Sequence, residues 1–188
     1  MKKKSLKSDK NGLIHHHNAP QNIFDCANDM LHNNDDEEYV AYTDGSCDNI
    51  NAPHAGGAAY VIMKDGEIIR AKNKGLLNTT NNRAEMLAIV SATLYTPENS
   101  RLDIYTDSQY AMNVFTGKWK PKTNVDLIEQ FKTHSRALRM VVFHWVRGHN
   151  GDKYNEMVDD MAWSAYKDII TRNGIKEGKW SKGGYNHQ

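Results

Sequence analysis

The pattern of hydrophobic and polar positions changes at Tyr39. Residues 1–38 show no sustained periodicity, which is typical of a loosely ordered N-terminal extension. From Tyr39 onward, short runs of β-forming residues alternate with runs that have helical spacing. We therefore expect a folded domain over residues 39–170. A flexible C-terminal tail is predicted for residues 171–188, which are rich in Gly and Lys.

Five strands and four helices are predicted in this domain. Asp65-Gly66 between two β-rich runs indicates a hairpin, and apolar residues repeat at helical spacing up to Pro97. The last β-rich run is almost entirely apolar or aromatic, so we expect a central strand covered on both faces. The order of elements predicts an α/β fold with a five-stranded mixed sheet, an antiparallel meander followed by parallel strands, and helices on both faces. The predicted strands are Tyr39–Thr43, Gly57–Ile62, Glu67–Asn73, Arg101–Thr106 and Met140–Val146, and the predicted helices run from Asn82 toward Pro97, over Ser108–Phe115, from Asn124, and over Asp152–Ile170.

Composition narrows the class of protein. The chain of 188 residues is 39% apolar, enough for one core, and it has no run of eighteen apolar residues, so no membrane span is expected. The N-terminus lacks the apolar stretch of a secretory signal, and two cysteines are too few for a disulfide framework. A reduced, cytoplasmic and monomeric protein is the simplest interpretation.

Charge is unevenly distributed along the chain. Residues 1–38 carry five lysines against seven acidic residues, whereas residues 39–188 carry nineteen Lys and Arg against sixteen acidic residues. If several of those acids surround metal ions, the remaining surface of the domain is basic. That balance is compatible with a polyanionic partner.

Four carboxylates are the candidates for chemistry. Asp44 and Asp107 each follow a predicted strand in a similar context, Tyr-Thr-Asp-Gly-Ser and Tyr-Thr-Asp-Ser-Gln. If these strands are adjacent and parallel, both side chains emerge at one edge of the sheet, where α/β folds place ligands. Glu85 lies about one turn into a helix, and Asp159 lies within the last helix. Each acid alone is more simply a turn former or a solvated residue, and only the set indicates a function.

A set of converging carboxylates favours a divalent cation, since without one their charges repel each other. Oxygen ligands with no Cys or His spacing indicate Mg²⁺, with Mn²⁺ as a possible substitute. Two ions about 4 Å apart could support in-line displacement at a phosphodiester, with Asp44 bridging both. His149, on a glycine-flanked loop, is a candidate for proton transfer or product release.

At these residues the chain resembles the bacterial-type (type 1) ribonuclease H family. The resemblance spans residues 39 to about 166 and keeps the spacing of ten positions from His149 to Asp159. It implies a ribonuclease H-like fold and hydrolysis of the RNA strand of RNA–DNA hybrids, with 5′-phosphate and 3′-hydroxyl ends. It also implies that Asp44, Glu85, Asp107 and Asp159 are the metal ligands and that His149 is the loop histidine. The motifs are Tyr-Thr-Asp-Gly-Ser-Cys, Thr-Thr-Asn-Asn-Arg-Ala-Glu, Thr-Asp-Ser-Gln-Tyr, Trp-Val-Arg-Gly-His and Asn-Glu-Met-Val-Asp.

The resemblance also implies substrate contacts. Asn81, Asn82 and Gln109 match residues that touch the minor groove of the hybrid, and Thr80 matches a threonine that holds a DNA-strand phosphate. Amides and hydroxyls can recognise the 2′-hydroxyl without reading bases. The first glycine-rich loop, residues 47–57, is about two residues longer than usual. Either Asn49 or Asn51 could therefore make the RNA contact.

One segment departs from the family. Many members carry a long basic, Trp-rich helix and loop after the third acid, whereas this chain has only Thr-Gly-Lys-Trp-Lys-Pro-Lys-Thr-Asn. Lys118, Lys120 and Lys122 around Trp119 are candidates for a reduced phosphate-binding handle. Trp119 is equally well explained as an aromatic at the edge of the core. We expect weaker hybrid affinity than in relatives that have the full handle.

Two alternatives share much of this pattern. A different nuclease on the same fold would have clustered acids without the Thr-Thr-Asn-Asn-Arg and Gly-His motifs at these spacings. A non-catalytic, hybrid-binding relative would be expected to have lost metal ligands. The N-terminal extension does not resemble the small hybrid-binding domain of the family, and we expect it to be dispensable for cleavage.

Overall fold

The computed structural model describes residues 37–177. The N-terminal extension before Glu37, and the part of the predicted tail after Glu177, lie outside the described residues. The strands are β1 (Glu38–Cys47), β2 (Gly56–Lys64), β3 (Glu67–Leu76), β4 (Arg101–Thr106) and β5 (Met140–Trp145). The helices are α1 (Asn81–Tyr95), α2 (Gln109–Phe115), α3 (Val125–Ser135) and α4 (Lys153–Arg172).

The five strands form one mixed sheet in the order β3-β2-β1-β4-β5. β1 pairs antiparallel with β2 and parallel with β4, and β4 pairs parallel with β5. The hairpin between β2 and β3 turns at Asp65 and Gly66, both with positive φ, the conformation that a two-residue turn requires. The predicted α/β fold with an antiparallel meander followed by parallel strands is confirmed.

The prediction that the last strand is central is wrong. β5 is an edge strand, and all of its residues are at least partly exposed. Its apolar composition has another cause: Val141 and Phe143 pack against the core on one face, while His144 stacks on Tyr105 of β4. The strand at the centre of the sheet is β1, which carries Asp44.

Helices cover both faces of the sheet, as predicted. On one face, residues of β1, β2 and β4 form the main core with apolar residues of α1, α2 and α3, including Ile62, Met86 and Leu127. On the other face, Val61 of β2 packs against Val158 of α4. Alternating residues of one strand therefore enter two different cores, as strand geometry requires.

Three of the four described helices begin with a side-chain cap, and one does not. Thr80, Ser108 and Asp152 accept hydrogen bonds from the first turns of α1, α2 and α4. Asn124 precedes α3, as predicted, but its backbone is left-handed and its side chain makes no capping bond. That side chain instead accepts a hydrogen bond from Arg83 of α1 (3.3 Å).

Between Glu37 and Glu177, no helix has the length and hydropathy needed to cross a membrane.

Candidate active site

Asp44 lies near the end of the central strand β1 and is only 8% exposed. The backbone N–H of Gly45 donates to its Oδ1 at 2.7 Å. Burial raises the pKa of Asp44 well above its usual range, and the charges of Asp107, Glu85 and Asp159 raise it further. The structure thus brings all four predicted carboxylates within electrostatic reach of one another, and we call them the carboxylate cluster.

Glu85 approaches β1 because residue 45 is a glycine. A Cβ on Gly45 would lie 2.2 Å from the backbone nitrogen of Glu85, so no larger residue could allow α1 so close. The Glu85 carboxylate accepts hydrogen bonds from the Asn81 amide (2.7 Å) and from the Ser108 hydroxyl. Burial raises the pKa of Glu85 to about 7, although the Ser108 hydrogen bond opposes the shift.

Asp107 follows β4 and is enclosed by the end of β5 and the loop after it. The indole of Trp145 donates to the Asp107 carbonyl at 3.1 Å, and a Cβ on Gly148 would lie 2.6 Å from Asp107 Oδ2. Burial raises the pKa of Asp107, and the charge of Asp159 adds to this effect. The pKa of Asp107 is lowered by its own backbone N–H, by His149 and by the side-chain amide of Asn155.

Asp159 and His149 lie close together near the start of α4. Asp159 is on the helix, and His149 is on the preceding loop with a left-handed backbone (φ 52°). His149 Nδ1 lies 3.8 Å from Asp159 Oδ2, and the histidine side chain is 63% exposed. This exposure agrees with the expected position on a loop and leaves the ring accessible to solvent.

The donor set of the carboxylate cluster fits a hard divalent cation. The pKa values of Asp44, Glu85 and Asp107 are raised partly by neighbouring negative charge, which a cation would neutralise, and oxygen ligands are the ones that Mg²⁺ and Mn²⁺ prefer. Within residues 37–177, however, no three His, Cys, Asp or Glu side chains are grouped closely enough to form a ready-made metal site. The cluster therefore supplies suitable ligands whose side chains would have to close around an ion.

The predicted substrate-contact residues surround the start of α1 and α2. Thr80 caps α1, with its hydroxyl accepting from the Arg83 N–H at 3.2 Å, and Asn81 joins the carboxylate cluster through Glu85. Asn82 and Gln109 are exposed at the first turns of α1 and α2. The hydroxyl and amides thus lie beside the carboxylates on the same pair of helix starts.

The loop after β1 favours Asn49 over Asn51 as the residue that faces this site. The Asn49 side chain accepts a hydrogen bond from the Asn81 backbone N–H at 3.2 Å. Asn51 instead donates to Asp48 at 2.8 Å, within its own loop. The sequence left these two residues undecided because the loop is longer than usual, and the contact with α1 distinguishes them.

The short basic segment, residues 116–124, lies between α2 and α3. Lys118, Lys120 and Lys122 are exposed. Trp119 is 50% exposed and its ring lies 6.2 Å from that of Tyr110 on α2. The tryptophan is therefore anchored on one side and open on the other, so both a packing role and a binding role stay compatible with its position.

Two residues that the sequence did not single out complete the site. Ser108 donates to Glu85 while it caps α2, and Asn155 reaches Asp107 from the first turn of α4. The sequence contained a signal for Asn155, because it stands four residues before Asp159 and therefore on the same face of the helix. Ser108 had no comparable signal, since its contact joins elements that are distant in sequence.

Comparisons with known proteins agree with this architecture. The profile of the ribonuclease H family, described as RNase H, matches residues 36–167. A ribonuclease H of Nitratidesulfovibrio vulgaris is 40% identical over 136 residues, which covers 65% of this chain and 85% of that protein. A ribonuclease H of Rhodopseudomonas palustris is 35% identical over 160 residues, covering 76% and 95%.

Among solved structures, the fold is similar to that of the N-terminal ribonuclease H domain of a Mycobacterium tuberculosis protein, determined as a fusion with maltose-binding protein. The TM-score is 0.62 at 18% sequence identity, with 73% of this chain and 99% of that chain covered. At that identity the likeness concerns the fold alone. The profile match and the two relatives go further, and on their strength the chain belongs to the ribonuclease H family.

Proposed function

We propose that this protein is an endonuclease that hydrolyses the RNA strand of RNA–DNA hybrids with two bound divalent ions, Mg²⁺ by preference. Membership of the ribonuclease H family supports the substrate. The observation that carries the mechanism is the carboxylate cluster, in which burial and like charge raise the pKa of Asp44. Such a cluster is costly to keep in a fold unless cations bind to it.

In this proposal the four carboxylates would hold the ions, since the charges of Glu85, Asp107 and Asp159 all act on Asp44. When bound, the ions would supply an activated water and stabilise the leaving oxygen, and the products would carry 5′-phosphate and 3′-hydroxyl ends. Ser108 and Asn81 keep the Glu85 carboxylate oriented by donating to its two oxygens.

His149 is the proposed group for proton movement at the edge of the site. It lies 3.8 Å from Asp159 and is largely exposed, so it can exchange protons with solvent between turnovers. An imidazole on a loop with glycines at positions 148 and 151 can also move away with the product. Its removal should therefore lower the rate without disturbing the fold.

Recognition of the hybrid is proposed for the starts of α1 and α2. Thr80, Asn82 and Gln109 present a hydroxyl and amides beside the cluster, and Asn49 joins them through Asn81. Asn81 is the connecting residue, because its amide binds Glu85 while its backbone binds Asn49. Amide and hydroxyl contacts in a shallow minor groove are suited to the 2′-hydroxyl of RNA.

The test is cleavage of matched RNA–DNA, RNA–RNA and DNA–DNA duplexes in Mg²⁺. We expect cleavage of RNA in the hybrid alone. The products should carry a 5′-phosphate and a 3′-hydroxyl. Asp44→Asn should reduce the rate about 100-fold or more, since charge stabilisation worth several kcal/mol is lost. Asp65→Asn, in the exposed β2–β3 turn, is the matched control and should be as active as the natural protein. Equal cutting of DNA duplexes, or an active Asp44→Asn variant, contradicts the proposal.

The basic segment is proposed as a reduced substrate handle. Replacing Lys118, Lys120 and Lys122 together by Ala should weaken hybrid binding and lower the slope of log affinity against log salt by about 3. A Lys72→Ala, Lys74→Ala double variant on the edge strand β3 controls for loss of charge elsewhere. Unchanged affinity of the triple variant would reject the handle. The expected cytoplasmic location and monomeric state stay predictions.

A further inference from the structure

Asn155, in the first turn of α4, is buried and carries a polar atom without a partner. Its side chain is 3% exposed, and its Oδ1 receives no hydrogen bond from any residue between 37 and 177. Its backbone N–H donates to Asp152 Oδ1 at 3.0 Å, so Asp152 caps the helix and the Asn155 side chain does not. An amide oxygen buried in this way is costly unless something donates to it.

The position of Asn155 is determined by the packing of α4 on the sheet. Val158 and Ala162 are fully buried against β2, and a Cβ on Gly57 would lie 2.0 Å from the Ala162 carbonyl oxygen. The helix therefore lies directly on the strand and has little freedom to shift. Asn155 and Asp159, one turn apart on the same face of α4, both act on Asp107.

The amide group of Asn155 faces Asp107. Its hydrogen bond to the Asp107 carboxylate lowers a pKa that burial raises. The nitrogen side of the amide is thus used by one member of the carboxylate cluster, while the oxygen side is enclosed and unused. Asparagine is well suited to this place, since it donates through Nδ2 and accepts through Oδ1 at the same time.

We propose that Asn155 is a positioning residue for the hydrolysis proposed above. Its Nδ2 holds the Asp107 carboxylate in place, and its Oδ1 accepts a hydrogen bond from a water retained at the carboxylate cluster. Mg²⁺ keeps several waters when it binds to carboxylates, so a buried acceptor beside the ligands has a donor available once the ion is present. Partners of metal ligands of this kind typically contribute 10- to 100-fold to metal affinity or rate.

The inference rests on the proposed function and is tested with Asn155→Leu, which keeps the volume and removes both polar groups. For the metal-free protein we expect a melting temperature close to that of the natural chain, because removal of the unpaired buried oxygen offsets the loss of the hydrogen bond to Asp107. The kcat on an RNA–DNA hybrid should fall 10- to 100-fold with KM changed less than about twofold. Mg²⁺ affinity, measured by titration calorimetry on the metal-free protein, should fall about tenfold.

Two further variants make the result decisive. Asn155→Asp keeps the shape and the acceptor but loses the donor to Asp107, and it should also lose kcat; it serves as the test if the leucine variant does not fold. Gln130→Leu, which removes an exposed amide on α3, is the matched control and should leave all three quantities unchanged.

Unchanged kcat and Mg²⁺ affinity in Asn155→Leu overturn the inference, and so does a loss of kcat that is matched by a loss of stability. A natural protein that does not cut hybrids would instead refute the proposed function. In that case the Mg²⁺ titrations still decide the role of Asn155.

Discussion

Replacing Glu85 by glutamine should stabilise the metal-free protein at pH 8 while it removes a proposed metal ligand. Glutamine keeps both local hydrogen bonds, since its Oε1 can accept from Asn81 and its Nε2 can donate to Ser108. What it removes is the charge, which burial disfavours strongly enough to raise the pKa of Glu85 from 4.5 to about 7. The substitution therefore separates the electrostatic cost of the site from its packing.

The sign and size of the effect follow from linkage. A carboxyl whose pKa is higher in the folded state favours folding below the unfolded pKa, and that contribution is lost as the pH rises through the folded pKa. The window for Glu85 is thus pH 4.5 to about 7. At about 1.4 kcal/mol per pH unit this corresponds to about 3 kcal/mol, and partial exposure reduces it to about 1–3 kcal/mol. For a domain of this size, the melting temperature should rise roughly 3–10 °C.

The assay is thermal unfolding in EDTA at pH 4.5, 6 and 8, with Glu98→Gln in an exposed loop as the control. The difference between Glu85→Gln and the natural protein should be near zero at pH 4.5 and largest at pH 8. Addition of Mg²⁺ at pH 8 should stabilise the natural protein more than the variant. A variant that is less stable than the natural protein at pH 8, or a difference that does not change with pH, would refute the argument.

Other substitutions test the geometry of the site. Gly45→Ala should destabilise the protein by about 3 kcal/mol in urea unfolding, because its Cβ would lie 2.2 Å from backbone that cannot move away. Gly148→Ala should lower kcat tenfold or more with less than about 1 kcal/mol lost in stability, since its Cβ would press on the Asp107 carboxylate. His149→Ala should lower kcat about 100-fold and leave urea unfolding within about 0.5 kcal/mol, as the side chain is exposed. Equal losses of rate and stability in the last two variants would contradict these roles.

Local sequence patterns predicted most of the elements correctly. β4 was predicted with its observed bounds, the Asp-Gly turn was identified, and α4 differs by one or two residues at each end. These features depend on neighbouring residues: turn residues with positive φ, capping side chains and apolar spacing. The wrong placement of β5 shows the limit, because an apolar strand at an edge can pack on one face and stack aromatic residues along the other.

The sequence also predicted which carboxylates lie near one another. The motifs around Asp44, Glu85, Asp107 and Asp159 predicted which side chains belong together, and the fold places them within electrostatic reach of one another. Asp44 and Asp107 lie close because β1 and β4 are parallel neighbours with Tyr42 opposite Tyr105, and each acid stands two residues further along.

Only the tertiary structure decided how these residues act on one another. Burial of Asp44 and Glu85, and hence their raised pKa, depends on the approach of α1 to Gly45, which involves residues 40 positions apart. The choice of Asn49 over Asn51 and the unpaired oxygen of Asn155 likewise depend on contacts between distant elements. The sequence by itself indicated the type of fold and which four carboxylates lie near one another. Desolvation and hydrogen bonding, which exist only once the chain is packed, decided their charge and their partners.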